Sequence, residues 1–164
     1  MRILVFTEGT LIMHQGALGK TREQIVNQVK KGKESSLRDY ANYVPIGNAV
    51  TKLRAWSSKG AEIVYLTSRR NTAEVKAVRV VLRKHGFPEG QLLHRQAAQE
   101  YRDATEKAEP DVIVEDNCES IGGADEMTYT HLRPELKRKI HLVPVKEFGG
   151  IDQLPDNPEM LLRL

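Results

Sequence analysis

Three apolar runs in this chain end abruptly in small clusters of polar side chains. Ile3-Leu4-Val5-Phe6 drops into Thr7-Glu8-Gly9-Thr10, Ala61-Glu62-Ile63-Val64-Tyr65-Leu66 into Thr67-Ser68-Arg69, and Val112-Ile113-Val114 into Glu115-Asp116-Asn117. Short runs that are apolar at nearly every position read as strands covered on both faces, not as strands with one wet side. The stretches between them carry helical periodicity. Pro45 is expected to open a helix with Ile46, Ala49, Val50, Leu53 and Trp56 on one face, ended by Gly60. Asn71, with Glu74 three residues on, caps a helix that buries Val75, Val78, Val81 and Leu82 and stops at Gly86.

The rest of the chain continues the alternation. Gln91–His94 reads as a short strand and residues 99–109 as a helix. Ile140–Val145 reads as a further strand, which its Pro144 assigns to a sheet edge. Asn157-Pro158 caps a last short helix through Leu164. Strands separated by helices of about ten to fifteen residues mean a parallel sheet with helices on both faces. The expected fold is therefore α/β, a three-layer doubly wound parallel sheet. Residues 13–45 have room for a small helical insert. In it Thr21 and Gln24 form a capping box ahead of Ile25, Val26 and Val29, and Ser36 caps a short helix carrying Leu37, Tyr40 and Ala41. The 164 residues read as one domain with this insert.

Composition narrows the function classes. The formal charge is +3 and only 5% of residues are aromatic, so platforms for stacking single-stranded nucleic acid are scarce. Lys30-Lys31-Gly32-Lys33 and Lys137-Arg138-Lys139 read as solvated helix faces, not as a nucleic-acid surface. There is no run of about 18 apolar residues, so no membrane span is expected. The apolar N-terminal stretch is too short for a signal peptide. The lone Cys118 allows no internal disulfide. Together these point to a cytoplasmic protein.

Parallel sheets bind ligands at the carboxyl ends of their strands, near a switch in strand order. The three polar turns converge there. A strand-end hydroxyl followed by a helix N-terminus can hold a phosphate oxygen, which makes Thr67 and Ser68 candidate phosphate ligands; the alternative is a simple helix cap. Adjacent acids can hold Mg²⁺, a hard cation that takes oxygen ligands, which makes Glu115 and Asp116 candidate metal ligands; the alternative is an ion pair with Arg102. Glu8 is either a general acid/base or a turn carboxylate bonded to the backbone, and Thr7 either a nucleophile or a turn hydroxyl. Arg69 and Arg70 either contact an anion or are solvated. Cys118 has no His near it in sequence and reads as an inert thiol. His14 lies just past the first turn and defaults to the surface. Glu119–Gly123 and Glu147–Gly150 are further turns that could line the same cleft.

The order "VFTEGTLI … VPIGNAVTKLRAWSSKGAEIVYLTSR … YRDATEKAEPDVIVEDN" is similar to the haloacid dehalogenase superfamily of phosphatases and phosphotransferases, over roughly residues 1–120. The resemblance implies a Mg²⁺ cofactor and a small phosphorylated ligand. In that family the first strand ends in Asp-x-Asp-Gly-Thr, and the first Asp forms an aspartyl-phosphate and binds the metal. The second motif, a strand-end Thr or Ser, falls on Thr67. The third, a Lys or Arg near a helix start, falls on Arg102, with Lys107 as the alternative. The fourth, an acidic pair, falls on Glu115 and Asp116. The first motif departs. Aligned on Gly9-Thr10, Glu8 replaces the second Asp and Phe6 the nucleophile. Aligned on the strand end, Thr7 takes the nucleophile's place and the turn is one residue short. Neither register supplies a carboxylate nucleophile. Two functions follow from this: a Mg²⁺-dependent phosphate-ester hydrolase in which Asp116 with Glu115 holds the metal, Thr67 and Arg102 hold the phosphate and Glu8 activates Thr7 or a water, or a non-catalytic anion- or metal-binding or protein-interaction module that kept the fold and lost turnover.

Overall fold

The computed structural model describes residues 1–96 and 98–164. Five parallel strands form the central sheet: β1 (Arg2–Phe6), β4 (Glu62–Leu66), β5 (Gln91–Leu93), β6 (Val112–Asp116) and β7 (His141–Val145), in the order β5-β4-β1-β6-β7. The central strand β1 pairs with β4 on one side and β6 on the other, so strand order reverses at its carboxyl end. β7 is an edge strand, as Pro144 requires.

Alternation along the strands divides the core. Ile3 and Val5 of β1 join Val112 and Val114 of β6 on one face, under α2 (Ala49–Ser58) and α3 (Thr72–Lys84). There Leu53, Trp56, Val78 and Val81 are fully buried, and the Trp56 indole donates to Pro155 O at 2.8 Å, tying the tail to the core. Leu4 and Ile113 face the other way, into a smaller cluster with Ala104 of α4 (Tyr101–Ala108), Leu132 and Ile140, near α5 (Pro134–Lys137). The sheet thus lies between two layers of helix.

The insert begins and ends at a two-stranded antiparallel ribbon, β2 (Ile12–Met13) with β3 (Val44–Pro45). Pro45 therefore lies in extended chain and does not open the helix. The turn at Gly47, at φ +52°, intervenes, and α2 starts after Asn48, whose backbone N–H donates to Asp152 at 2.8 Å. Between the ribbon strands lie α1 (Arg22–Lys31), with the Thr21–Gln24 capping box formed, and two 3₁₀ turns over Ser35–Arg38 and Tyr40–Asn42. Ser36 caps nothing; its hydroxyl bonds to His14 Nδ1 at 2.9 Å. The final helix, Pro158–Arg163, is 3₁₀, with Asn157 accepting from Glu159 N–H. Among the described residues no helix is long and apolar enough to cross a membrane.

Candidate active site

The carboxyl ends of β1, β4 and β6 meet at a cleft of about 250 Å³, closed on one side by the insert. Phe6, the last residue of β1, lies on the Leu4 face and reaches this cleft. Its ring stands edge-on to Tyr101 with centroids 5.9 Å apart. Thr7 points elsewhere and is fully buried. Its backbone N–H continues the ladder to Leu66 O, and its hydroxyl lies 2.5 Å from Glu8 Oε2 and 3.2 Å from Leu66 O. The aromatic ring, not the hydroxyl, lines the cleft.

Glu8 leans across to the end of β4. Its Oε1 accepts from the Thr67 hydroxyl at 2.6 Å and lies 3.5 Å from Arg69 Nε, and its Oε2 accepts from Ser68 N–H at 3.2 Å. Thr67 is fully buried, and its oxygen in turn accepts from Arg69 N–H. The Ser68 hydroxyl accepts from the Arg69 guanidinium. That guanidinium lies over the Tyr40 ring, 4.6 Å from its centroid, and bonds to the Tyr40 hydroxyl. Burial, the largest single influence, opposes the Arg69 charge; Glu8, Tyr40, Tyr43 and Glu74 together outweigh it and raise the pKa.

The two acids at the end of β6 leave the sheet on opposite faces, as successive strand residues must. Glu115 shares the Ile113 face. Its carboxylate accepts from the backbone N–H groups of Thr128 at 2.5 Å and Tyr129 at 3.2 Å. Asp116 turns toward the first loop, accepting from the Thr10 hydroxyl at 2.8 Å and from Cys118 N–H at 3.0 Å. Burial pushes Glu115 up to about 7 and Asp116 up to about 6, against the pull of those hydrogen bonds. Gly9, at φ +85°, passes so close that a Cβ there would sit 2.9 Å from Asp116 Oδ2 and 3.3 Å from Glu147 Cγ. Glu147 is buried beside Asp116 and accepts from the Ser120 N–H and hydroxyl, each at 2.6 Å.

Arg102 does not reach the cleft. α4 begins at Tyr101, and a helix turns about 100° per residue, so Tyr101 faces the cleft while Arg102 faces outward. Arg102 is half exposed, 4.0 Å from Asp103, and lines a separate hollow with Glu100, Thr128 and His131. Lys107 is exposed and lies next to β5, also outside the cleft. The cation at the cleft is Arg69. His14 is buried rather than on the surface. It lines the cleft, and its Nε2 has no partner among the described residues. Burial lowers its pKa. Cys118 is half-buried at φ +50°; burial and the surrounding carboxylates push its thiol pKa up, as suits an inert thiol. Tyr40, Tyr43 and Phe148 complete the cleft wall; Phe148 comes from the Glu147–Gly150 turn expected there, while no sequence signal marked Tyr40 or Tyr43 as functional.

Mg²⁺ needs several oxygens converging on one point. Phe6 offers none, the Glu115 carboxylate, though it lines the cleft, is held by the Thr128 and Tyr129 N–H groups, and Glu8 is engaged by four donor groups. Asp116 has both oxygens bonded to protein donors. Among the described residues no group of three or more His, Cys, Asp or Glu side chains is placed to hold a metal ion. The residues present do not fit the cofactor that the sequence resemblance implies.

No protein-family model matches this chain, and no curated protein matches it. Solved structures do. The class C acid phosphatase of Bacillus anthracis superposes with a TM-score of 0.57 over 99% of this chain and 77% of its own, at 16% identity. The same enzyme with tungstate bound gives 0.56 over 91% and 68%, also at 16% identity. The fold is haloacid-dehalogenase-like. A chain of the Pnkp1/Rnl/Hen1 complex gives 0.53 at 11% identity over 89% of this chain, which spans 46% of that one. At these identities the likeness is one of fold, and this chain's own side chains must carry any functional reading.

Proposed function

We propose that this chain is a non-hydrolytic binding protein on a phosphatase-like fold. The observation that carries the reading is the first turn. Phe6 stands at the nucleophile position, the Thr7 hydroxyl is buried, and Glu8 is bound to Thr67, Ser68 and Arg69. A phenyl ring cannot attack phosphorus, and a buried hydroxyl turned from the cleft has no route to a substrate. The cleft's remaining character favours a particular ligand chemistry. Its lining carries Glu8, Glu115, Asp116, Glu126 and Glu147 against the Arg69 guanidinium, and its walls are Phe6, Tyr40, Tyr43, Tyr101 and Phe148. Carboxylates below aromatic faces suit a small molecule with a flat apolar body and N–H donors or positive charge.

The competing reading is a Mg²⁺-dependent phosphate-ester hydrolase, which Glu8 and Asp116 at the cleft would serve. Thermal shifts with an aryl amine, tyramine, and with an aryl phosphate, p-nitrophenyl phosphate, separate the two, with hydrolysis of the latter followed in Mg²⁺ and in chelator. The expected outcome is stabilisation by the amine, none by the phosphate, and no hydrolysis above background. Turnover of the ester that depends on Mg²⁺ would overturn the proposal.

A further inference from the structure

The end of β4 presents three converging donors: the Thr67 hydroxyl, the Ser68 N–H and the Arg69 guanidinium. A hydroxyl, a backbone amide and a cation within reach of one point are what an oxyanion binds to. Here the point is taken. Glu8 Oε1 lies 2.6 Å from Thr67 Oγ1 and 3.5 Å from Arg69 Nε, and Oε2 lies 3.2 Å from Ser68 N. We infer that Glu8 is a built-in occupant of an oxyanion site, a carboxylate of the chain itself seated where a ligand's phosphate or carboxylate would go.

This extends the reading above, since it explains why the cleft of a phosphatase-like fold excludes phosphate. The Thr7 hydroxyl, 2.5 Å from Oε2, holds the carboxylate from behind. Arg69 is held in turn by Tyr40 of the insert and by Ser68, so the cradle is fixed independently of its occupant. Glu8 supplies two oxygens in place of a ligand's, at no cost in binding entropy, because it is tethered. An incoming oxyanion must displace it and also meet Asp116 and Glu147 across Gly9. Glu8 is therefore the residue that sets ligand charge: with it the cleft refuses oxyanions, and without it the same donors accept them.

The test is titration of the full chain with inorganic phosphate by calorimetry. Wild type is expected to show no saturable binding. Glu8→Ala is expected to bind phosphate roughly tenfold or more tightly than wild type, the scale of charge-assisted hydrogen bonds regained. Glu8→Ala with Arg69→Ala is expected to lose that gain. Glu8→Gln, which keeps the side chain's length without its charge, is the second variant, and its thermal midpoint is expected to rise with phosphate while wild type's does not. Folded Glu8 variants that bind phosphate no better than wild type would overturn the inference. So would saturable, Arg69-dependent phosphate binding by wild type, which needs no variant to fold. The two failures are distinguishable: ester turnover by wild type sinks the non-hydrolytic reading and this inference together, whereas phosphate refusal by folded Glu8→Ala sinks this inference alone.

Discussion

At the scale of single residues, the chemistry turns on which way three consecutive side chains point. Strand alternation sends Phe6 to the Leu4 face and into the cleft, and Thr7 finishes its hydrogen bonds inside the protein. The same alternation separates Glu115 from Asp116. Both acids are buried with their pKa raised, so their effect on stability has a fixed sign. The folded state holds the Glu115 proton more tightly than the unfolded state does. Stability is therefore undiminished by this group below about pH 4.5, falls as pH climbs from there to about 7, and is level above that. His14, with its pKa lowered, works oppositely just below pH 6.5, so a comparison with a variant isolates the carboxyl. Relative to wild type, Glu115→Gln is expected to gain stability between pH 5 and pH 7.5, by at most ~3 kcal/mol at ~1.4 kcal/mol per pKa unit. Urea unfolding at the two pH values measures it. A difference that stays flat, or that moves against Glu115→Gln, contradicts the assigned environment.

At the scale of elements, the sequence was a good guide where one signal acted alone. The strands of the main sheet follow from apolar runs, the start of α1 from its capping box, and α3 from Asn71 and its valines. It misled where two signals competed. Pro45 suits a helix start, yet the insert must close on itself, and the ribbon with Ile12 uses Pro45 as extended chain. The site was legible to the same degree. Ser68, Glu8, Glu115 and Asp116 line one cleft because strand ends bring them there, with Thr67 buried behind Glu8. Arg102 was misplaced because neighbouring helix positions point about 100° apart, and Tyr101 takes the cleft side of α4. Hydrogen bonding between Glu8 and the β4 loop has no sequence signature, because it joins residues 59 and 60 apart. The orientation of α4 predicts unequal substitutions. Tyr101→Ala removes a ring packed on Phe6 and under Arg95 and is expected to cost roughly 1–3 kcal/mol, whereas Arg102→Ala is expected to fall within about 0.5 kcal/mol of wild type. Chemical denaturation of both variants checks it; equal losses would place Arg102 in contacts that the outward face of α4 does not provide.

At the scale of the whole molecule, the fold is haloacid-dehalogenase-like, while the buried carboxylates in the crevice above β1 are satisfied by protein donors. Glu8 has Thr67, Ser68 and Arg69; Asp116 has Thr10 and Cys118; Glu147 has Ser120; Glu115 has the 128–129 backbone. Buried carboxylates already held by separate protein donors do not converge several oxygens on one point as Mg²⁺ requires, and this lack of a metal-binding arrangement is the centre of the account. Calorimetric titration of wild type and Asp116→Ala with Mg²⁺, in the presence of phosphate, addresses it most directly. The account predicts no saturable Mg²⁺ binding to either protein. Saturable binding to wild type that disappears in Asp116→Ala would contradict it and restore a metal–phosphate site at the end of β6.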